Sequence, residues 1–245
     1  MNYIVNKKIY KEDKMIKVVL FDIDNTLLSF DDFVKNTMKN GFKEFGICEY
    51  KEEMFHVFNQ INSRLWQKLE KGEISFAELK KTRWNTIFHH LGIVGDGVAF
   101  EAYFRNSLFH SAILIDGGMD LVKYLYPKYI LCVASNGPFL QQINRLKKAC
   151  IYDYFSDFFI SEEIGASKPS ADFFNEVLNR LNLKFNQKFL PHEIMIIGDS
   201  LTSDIIGGIN AGMKTCFYNP CKKTIPNELN IDYQISSLIE IKNIL

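Results

Sequence analysis

From Gly117 to the C-terminus, short β-branched or aromatic runs alternate with amphipathic stretches, and this alternation restricts the fold of the 245-residue chain more than any other feature. Strands are expected at Tyr129–Ala134, Phe158–Ser161, Ile194–Gly198 and Lys214–Tyr218, with a shorter one at Tyr233–Ile235. Helices are expected at about Pro138–Ala149, Ala171–Leu181, Asp204–Ala211 and Ser237–Asn243. Strands separated by helices need crossover connections, so the pattern specifies an α/β fold with a parallel sheet covered on both faces. An earlier run, KVVLFD from Lys17 to Asp22, has the same buried-strand texture and joins that sheet.

The intervening window reads differently. All six prolines lie at or after Pro127, which leaves the preceding residues free to form long helices. Met54, Phe58, Ile61, Leu65 and Leu69 recur at three- and four-residue steps, and Gly72 follows as a stop. Ser75 and Glu78 have the spacing of a capping box, opening a segment that ends at Leu91-Gly92. The window holds both tryptophans and no strand pattern. It predicts a helical cap over 31–110, inserted into one α/β core made of 15–30 and 111–245, with 1–14 as an N-terminal extension.

Composition narrows the partners. With 29 Lys+Arg against 29 Asp+Glu the chain is neutral, which argues against a nucleic-acid polymer or a membrane surface as partner. A small anion needs only one or two local cations and stays open. No apolar run reaches the ~18 residues of a membrane span. No secretory signal core opens the chain, and the five cysteines form no CxxC pair, so reduced thiols and a cytoplasmic location are expected. The adjacent His89 and His90 cannot both face one metal from a regular helix, and are read as surface or cap residues.

In an open parallel sheet, ligands bind beyond the carboxyl ends of the strands, and four of the expected strands end in polar clusters. In LFDIDNTLL, Asp22 and Asp24 are two apart, so an extended chain turns both carboxylates to one side. Such a pair shares a hard cation, acts as nucleophile and general acid/base, or merely caps a turn. In LCVASNGP, Ser135 and Asn136 precede a helix start, which is either a phosphate cradle or a plain helix cap. In GASKPSADFF, Lys168 supplies a point charge for a phosphoryl group, or is a solvated surface lysine. In IMIIGDSLTSDIIGGINAGM, Asp199 sits at a strand tip and Asp204 about the start of a helix, positions suited to Mg²⁺. The four clusters fall on strand ends in chain order, a coincidence that unrelated caps and surface charges do not produce.

In this order and spacing the four segments resemble the haloacid dehalogenase superfamily of phosphotransferases. The likeness covers about Lys17 to Tyr218. The interval from Asp22 to Ser135 far exceeds the about 30 residues of a simple βαβ unit, and the insert resembles that superfamily's helical type of cap. The resemblance implies a Rossmann-like three-layer core and a Mg²⁺-dependent phosphomonoesterase. Asp22 would attack phosphorus, and Asp24 would protonate the leaving oxygen and then activate water. Ser135, Asn136 and Lys168 would hold the phosphoryl group. Asp22, the Asp24 backbone carbonyl and Asp199 would hold the metal, with Asp204 in support. Dehalogenases of the superfamily lack the second acid of the first segment, so Asp24 favours phosphate chemistry.

SFDDF, NSRLWQKLEKGEIS, FFISEEIGASKP and SDIIGGINAGM are similar to bacterial pyrimidine 5′-nucleotidases. That likeness implies a small phosphorylated metabolite, a nucleoside monophosphate, as substrate. Cap residues Phe33, Asn62 and Trp66 would then face its base, although aromatics on amphipathic helices, as Phe33 and Trp66 are, more often belong to a helical core. HSAILIDGGMD departs from the pattern in lacking the prolines common before the first core helix of relatives. Phosphoglycolate or sugar-phosphate hydrolysis, phosphomutase activity and a non-catalytic binding role are the alternatives; oligomeric state is not encoded in these features.

Overall fold

A computed structural model describes residues 16–245. The extension 1–14 expected from the sequence lies outside the described residues. Among the described residues six strands form one sheet in the order β3-β2-β1-β4-β5-β6: β1 (Val18–Phe21), β2 (Ile130–Ser135), β3 (Asp157–Ile160), β4 (Ile194–Gly198), β5 (Lys214–Tyr218) and β6 (Tyr233–Ile235). Every neighbouring pair runs parallel. β1 registers Val18 opposite Ile130 on one side and Ile194 on the other. The chain leaves β1 in one direction through β2 and β3, then returns to build β4, β5 and β6 on the opposite side. That reversal places a crevice at the carboxyl ends of β1 and β4.

Alternation along β1 divides the core into two layers. Val19 and Phe21 enter one apolar cluster, with Leu121, Val122 and Leu125 of α5 (Gly118–Leu125) and Leu146 of α6 (Phe139–Lys148). Val18 and Leu20 enter the other, with Phe173, Phe174, Val177 and Leu181 of α8 (Ala171–Phe185). All four β1 side chains are fully buried, as a strand covered on both faces requires. A one-turn helix, α7 (Ser161–Ile164), follows β3 and ends on Gly165 at φ +79°.

Four helices form the cap: α1 (Phe30–Glu44), α2 (Glu52–Glu70), α3 (Phe76–Leu91) and α4 (Gly97–His110). They enclose a third apolar cluster of their own, rich in aromatic rings, among them Phe33, Phe58, Trp84, Phe100 and Phe104. Trp84 and Phe100 meet edge to face at 4.4 Å between centroids. Ser75 and Glu78 close the capping box that starts α3, and Gly92 ends that helix in the left-handed region, where a side chain would be strained. Within this apolar cap Arg83 is buried, and Glu101 accepts two of its hydrogen bonds at 2.7 and 3.0 Å. Burial pushes the Glu101 carboxyl up, and Arg83 opposes the shift.

Two expected helices differ in the structure. The segment expected at Asp204–Ala211 begins with a widened π turn, Leu201–Ile205, before α9 (Ile206–Asn210). The N–H groups of Asp204 and Ile205 both donate to the Ser200 carbonyl at 3.1 Å, and the wider turn carries the Asp204 side chain into the interior. The segment after Ser237 is the tighter 3₁₀ form, Leu238–Asn243, with Leu238 and Ile241 buried three residues apart. No helix among the described residues is long and apolar enough to cross a membrane.

Candidate active site

The clusters at the strand ends meet in the crevice. A cavity of about 230 Å³ is lined by Asp22, Asp24, Ser135, Asn136, Lys168, Asp199 and Asp204 from the core, and by Phe30, Asn62, Trp66 and Glu70 from the cap. Residues separated by up to 182 positions in the chain thus share one chamber roofed by α1 and α2.

Lys168 organises its floor. Its ammonium is 1% exposed and donates to Asp22 Oδ1 at 2.7 Å, to Asp204 Oδ1 at 2.5 Å and to the Ala134 carbonyl at 2.6 Å. All three donors of the ammonium are therefore used. Burial alone would lower its pKa; Asp204 and Asp22 overcome that and hold it above the usual lysine range. Burial raises Asp22 well above the ordinary aspartate value, Lys168 pulls it back, and the charges of Asp204, Asp199 and Asp24 raise it further. Lys168 is thus the cation shared by Asp22 and Asp204.

Asp204 is completely buried, and both of its oxygens are engaged: Oδ1 accepts from Lys168 and Oδ2 from the Ser200 N–H at 3.1 Å. Gly198 makes room for it, because a Cβ there would fall 2.2 Å from Asp204 Oδ2. Asp199 lies at the tip of β4 and accepts from the Lys223 ammonium at 3.2 Å. Burial pushes its carboxyl up to about 6, against the lowering effect of Lys223. One oxygen each of Asp22, Asp199 and Asp204 lie within 4.8 Å of one another. An all-oxygen set of carboxylates at one strand-end crevice fits a small hard cation such as Mg²⁺. Because Asp204 is committed to Lys168 and Ser200, Asp22 and Asp199 are the two acids best placed to give an oxygen to it.

Asp24 points elsewhere within the cavity wall. Its Oδ1 accepts from Arg145 Nη1 at 2.7 Å and its Oδ2 from Gln142 Nε2 at 2.9 Å. Gln142 Nε2 also donates to Ser135 Oγ at 2.9 Å, which joins the first two clusters through α6. Asn136 bonds the Lys168 backbone in both directions, Nδ2 donating to its carbonyl at 2.8 Å and Oδ1 accepting from its N–H at 2.9 Å. This clamp holds the second and third clusters in register. Asn136 Nδ2 also reaches Glu70 of the cap at 3.3 Å.

Of the three cap residues expected at the substrate, Asn62 and Trp66 line the cavity and Phe33 does not. Phe33 is buried in the cap core, its ring 5.0 Å from that of Phe104, because the helical face carrying Val34 and Met38 takes it inward. Phe30, one turn earlier, lines the cavity instead. Asn62 is held by Arg83, whose Nη1 donates to its Oδ1 at 3.0 Å. The sequence reading missed Gln142 and Arg145. Their three-residue spacing beside Leu146 puts two long polar side chains on the buried face of α6, a signal present in QQINRL.

A parallel sheet with an acid-lined crevice at its reversal point, under an inserted helical cap, defines a class of hydrolases. The chain belongs to the haloacid dehalogenase-like hydrolases, whose family model matches residues 16–212. YfnB of Bacillus subtilis (strain 168), itself named only as a HAD-hydrolase, is 33% identical over 232 residues, covering 95% of this chain and 96% of that one. The pyrimidine 5′-nucleotidase PynA of Streptococcus pneumoniae (strain ATCC BAA-255 / R6) is 33% identical over 238 residues, covering 94% and 97%. The pyrimidine 5′-nucleotidase YjjG of Escherichia coli (strain K12) is 29% identical over 228 residues, covering 93% and 96%. The crystal structure of YfnB bound to magnesium superposes with a TM-score of 0.85 at 32% identity, over 94% of this chain and 99% of that one.

Proposed function

We propose that the protein is a Mg²⁺-dependent phosphomonoesterase acting through an aspartyl-phosphate, with a nucleoside 5′-monophosphate as substrate. The observation that carries this reading is the Lys168 ammonium fixed between Asp22 and Asp204, with Asp199 beside them. Phosphoryl transfer needs mainly positioning and charge neutralisation, and this arrangement supplies both. A Mg²⁺ held by Asp22, Asp199 and the Asp24 backbone carbonyl would add further neutralisation of the phosphoryl oxygens when bound.

The chain's own groups then divide the work. Asp22 Oδ1 is held by Lys168, which orients the carboxylate so that its other oxygen attacks phosphorus. The bond from phosphorus to the leaving oxygen breaks as that oxygen takes a proton from Asp24. Water then attacks the aspartyl-phosphate, giving its proton to Asp24 and freeing Asp22 with release of phosphate. Ser135 Oγ and the helix start at Pro138 would hold the equatorial oxygens, and Asn136 keeps Lys168 in place.

The nucleotide assignment draws support from PynA and YjjG, both named as pyrimidine 5′-nucleotidases, and from Trp66 and Phe30 at the cavity wall. Hydrolysis of an aryl phosphate with Mg²⁺, abolished in Asp22→Asn, tests the chemistry. Rates across nucleoside monophosphates, sugar phosphates and phosphoglycolate test the substrate; equal rates across these esters would remove the nucleotide assignment.

A further inference from the structure

Beside the cavity of Asp22 and Lys168 lies a larger one of about 480 Å³, between the end of α2 and the core loop 161–170. The two share Trp66, Glu70 and Asn136, so a molecule with its phosphoryl group at Lys168 would have the second chamber open beside it. Its apolar walls include Trp66, Leu69, Phe76 and Pro138. The Trp66 and Phe76 rings stand 6.1 Å apart at 49°.

The charges of this chamber are one-sided. Among the described residues no Lys, Arg or His lines it, and the ionisable ones that do are Glu70 and Glu162. Glu162 Oε2 accepts from the Phe139 N–H at 2.7 Å, at the start of α6. Glu70 Oε1 receives only the long contact from Asn136, at 3.3 Å, at the junction of the two cavities. Lys80 rests over the Phe76 ring at 5.0 Å and is not part of the lining. Arg83 and Arg105 border a third space, of about 40 Å³, which meets the chamber at Trp66, Phe76, Asn136, Gly137 and Pro138; neither arginine lines the chamber itself, and Arg83 is paired with Glu101.

We infer that the 480 Å³ chamber receives the leaving alcohol of the phosphate ester and is selective by charge: it takes uncharged, flat groups bearing N–H or O–H donors, which Glu70 reads, and rejects those carrying a carboxylate or a second phosphate. The inference rests on the phosphomonoesterase reading. Physically, an anion entering the chamber would lose water and gain two carboxylates as neighbours, with no cation among the described lining residues to offset either loss. An amide or amino edge would instead give Glu70 a second charge-assisted hydrogen bond beside the long one from Asn136, while the ring lies against Trp66.

Matched substrate pairs test it. Glycerol 3-phosphate against 3-phosphoglycerate exchanges a hydroxymethyl for a carboxylate, and uridine 5′-monophosphate against uridine 3′,5′-bisphosphate exchanges the 3′-hydroxyl for a phosphate. The expected result is at least a tenfold lower kcat/KM for the charged member of each pair, lost mainly in KM. Glu70→Gln, or Glu162→Gln should the first variant fold poorly, narrows that gap at least threefold. Trp66→Ala lowers the preference for uridine 5′-monophosphate over glycerol 3-phosphate. Charged and neutral members within threefold of each other, or a gap untouched in the folded glutamine variants, would overturn the inference. If the wild type hydrolyses no aryl phosphate, the phosphatase reading falls separately. Calorimetry then decides the chamber alone: uridine binding lost in Trp66→Ala upholds it, and uridine 3′-monophosphate binding as tightly as uridine refutes it.

Discussion

Arg145 donates to Asp24 at 2.7 Å from a position with no exposure to solvent, and its Nε and Nη2 have no partner among the described residues. The guanidinium lies on α6, outside the four strand-end clusters, yet it holds the acid expected to move the proton. Gln142 links the pair, its Oε1 accepting from Arg145 and its Nε2 donating to Asp24 and to Ser135. Removing one member of a buried pair costs roughly 3–5 kcal/mol when the other is left without solvent. Asp24 keeps a 31% exposed side chain, so the cost in stability falls below that range. Arg145→Ala is expected to lower kcat on an aryl phosphate by about 10- to 100-fold, a loss of positioning of about 1.4–2.8 kcal/mol. Arg145→Lys keeps the charge without the planar fork and should recover only part. An unchanged kcat in folded Arg145→Ala would refute the positioning role.

Gly198 is fixed by a side chain rather than by its own backbone angles. With a Cβ 2.2 Å from Asp204 Oδ2, Gly198→Ala must push Asp204 away from Ser200 and Lys168. Overpacking of this kind costs about 1–3 kcal/mol. Here it also releases the buried Lys168 from one of its two acids. We expect Gly198→Ala to lower the denaturant midpoint at unchanged m-value and to reduce turnover at least tenfold. A variant with wild-type midpoint and turnover would show that Asp204 adapts and that the close approach is incidental.

The five cysteines separate cleanly by burial. Cys132 in β2 and Cys216 in β5 are buried, and burial pushes both thiols up to about 12. Cys48, Cys150 and Cys221 are exposed. Since the thiolate is the reactive form, native protein at pH 8 should take at most three alkyl groups, with Cys132 and Cys216 labelled only after denaturation. Mass spectrometry of the alkylated protein reads this directly. Rapid native labelling of Cys132 would mean that the β2–β3 region opens far more readily than its packing implies.

How much of this was legible in the sequence depends on whether one element or a meeting of elements carries the information. The sheet is readable because short continuous apolar runs separated by crossover helices are local patterns, as in Val18–Phe21. The core cluster of Asp22, Ser135, Lys168 and Asp199 is readable because a parallel sheet brings its strand ends together whatever the side chains are. Phe33 is different: which of two aromatics a turn apart reaches the cavity depends on how α1 rotates against α4, and that is fixed by Phe104. The widened turn before α9 was equally hidden, because it follows from fitting Asp204 under Gly198 and not from any propensity of LTSDI. Arg145 lay between these extremes, its burial predictable from helical spacing but its partner 121 residues away.

The acid cluster sets how magnesium and pH act together on stability. Asp199 is pushed up to about 6 and Asp22 well above its ordinary value, so the metal-free folded state binds more protons than the unfolded chain. Groups with raised carboxyl pKa values make stability fall as pH rises from the ordinary aspartate value through the folded one. For Asp199 that window runs from 3.8 to about 6. Above it, the metal-free protein bears the full cost of crowded, buried carboxylates. Magnesium needs those groups ionised and offsets their repulsion, whereas protons compete with it below pH 6. The rise in Tm on adding 5 mM magnesium, a dose of about the scale at which weak sites fill, should therefore be larger at pH 7.5 than at pH 5.5. Asp199→Asn should raise the metal-free Tm at pH 7.5 and largely abolish the magnesium increment. An increment that is equal at both pH values, or one that survives in Asp199→Asn, would place the cation away from this cluster.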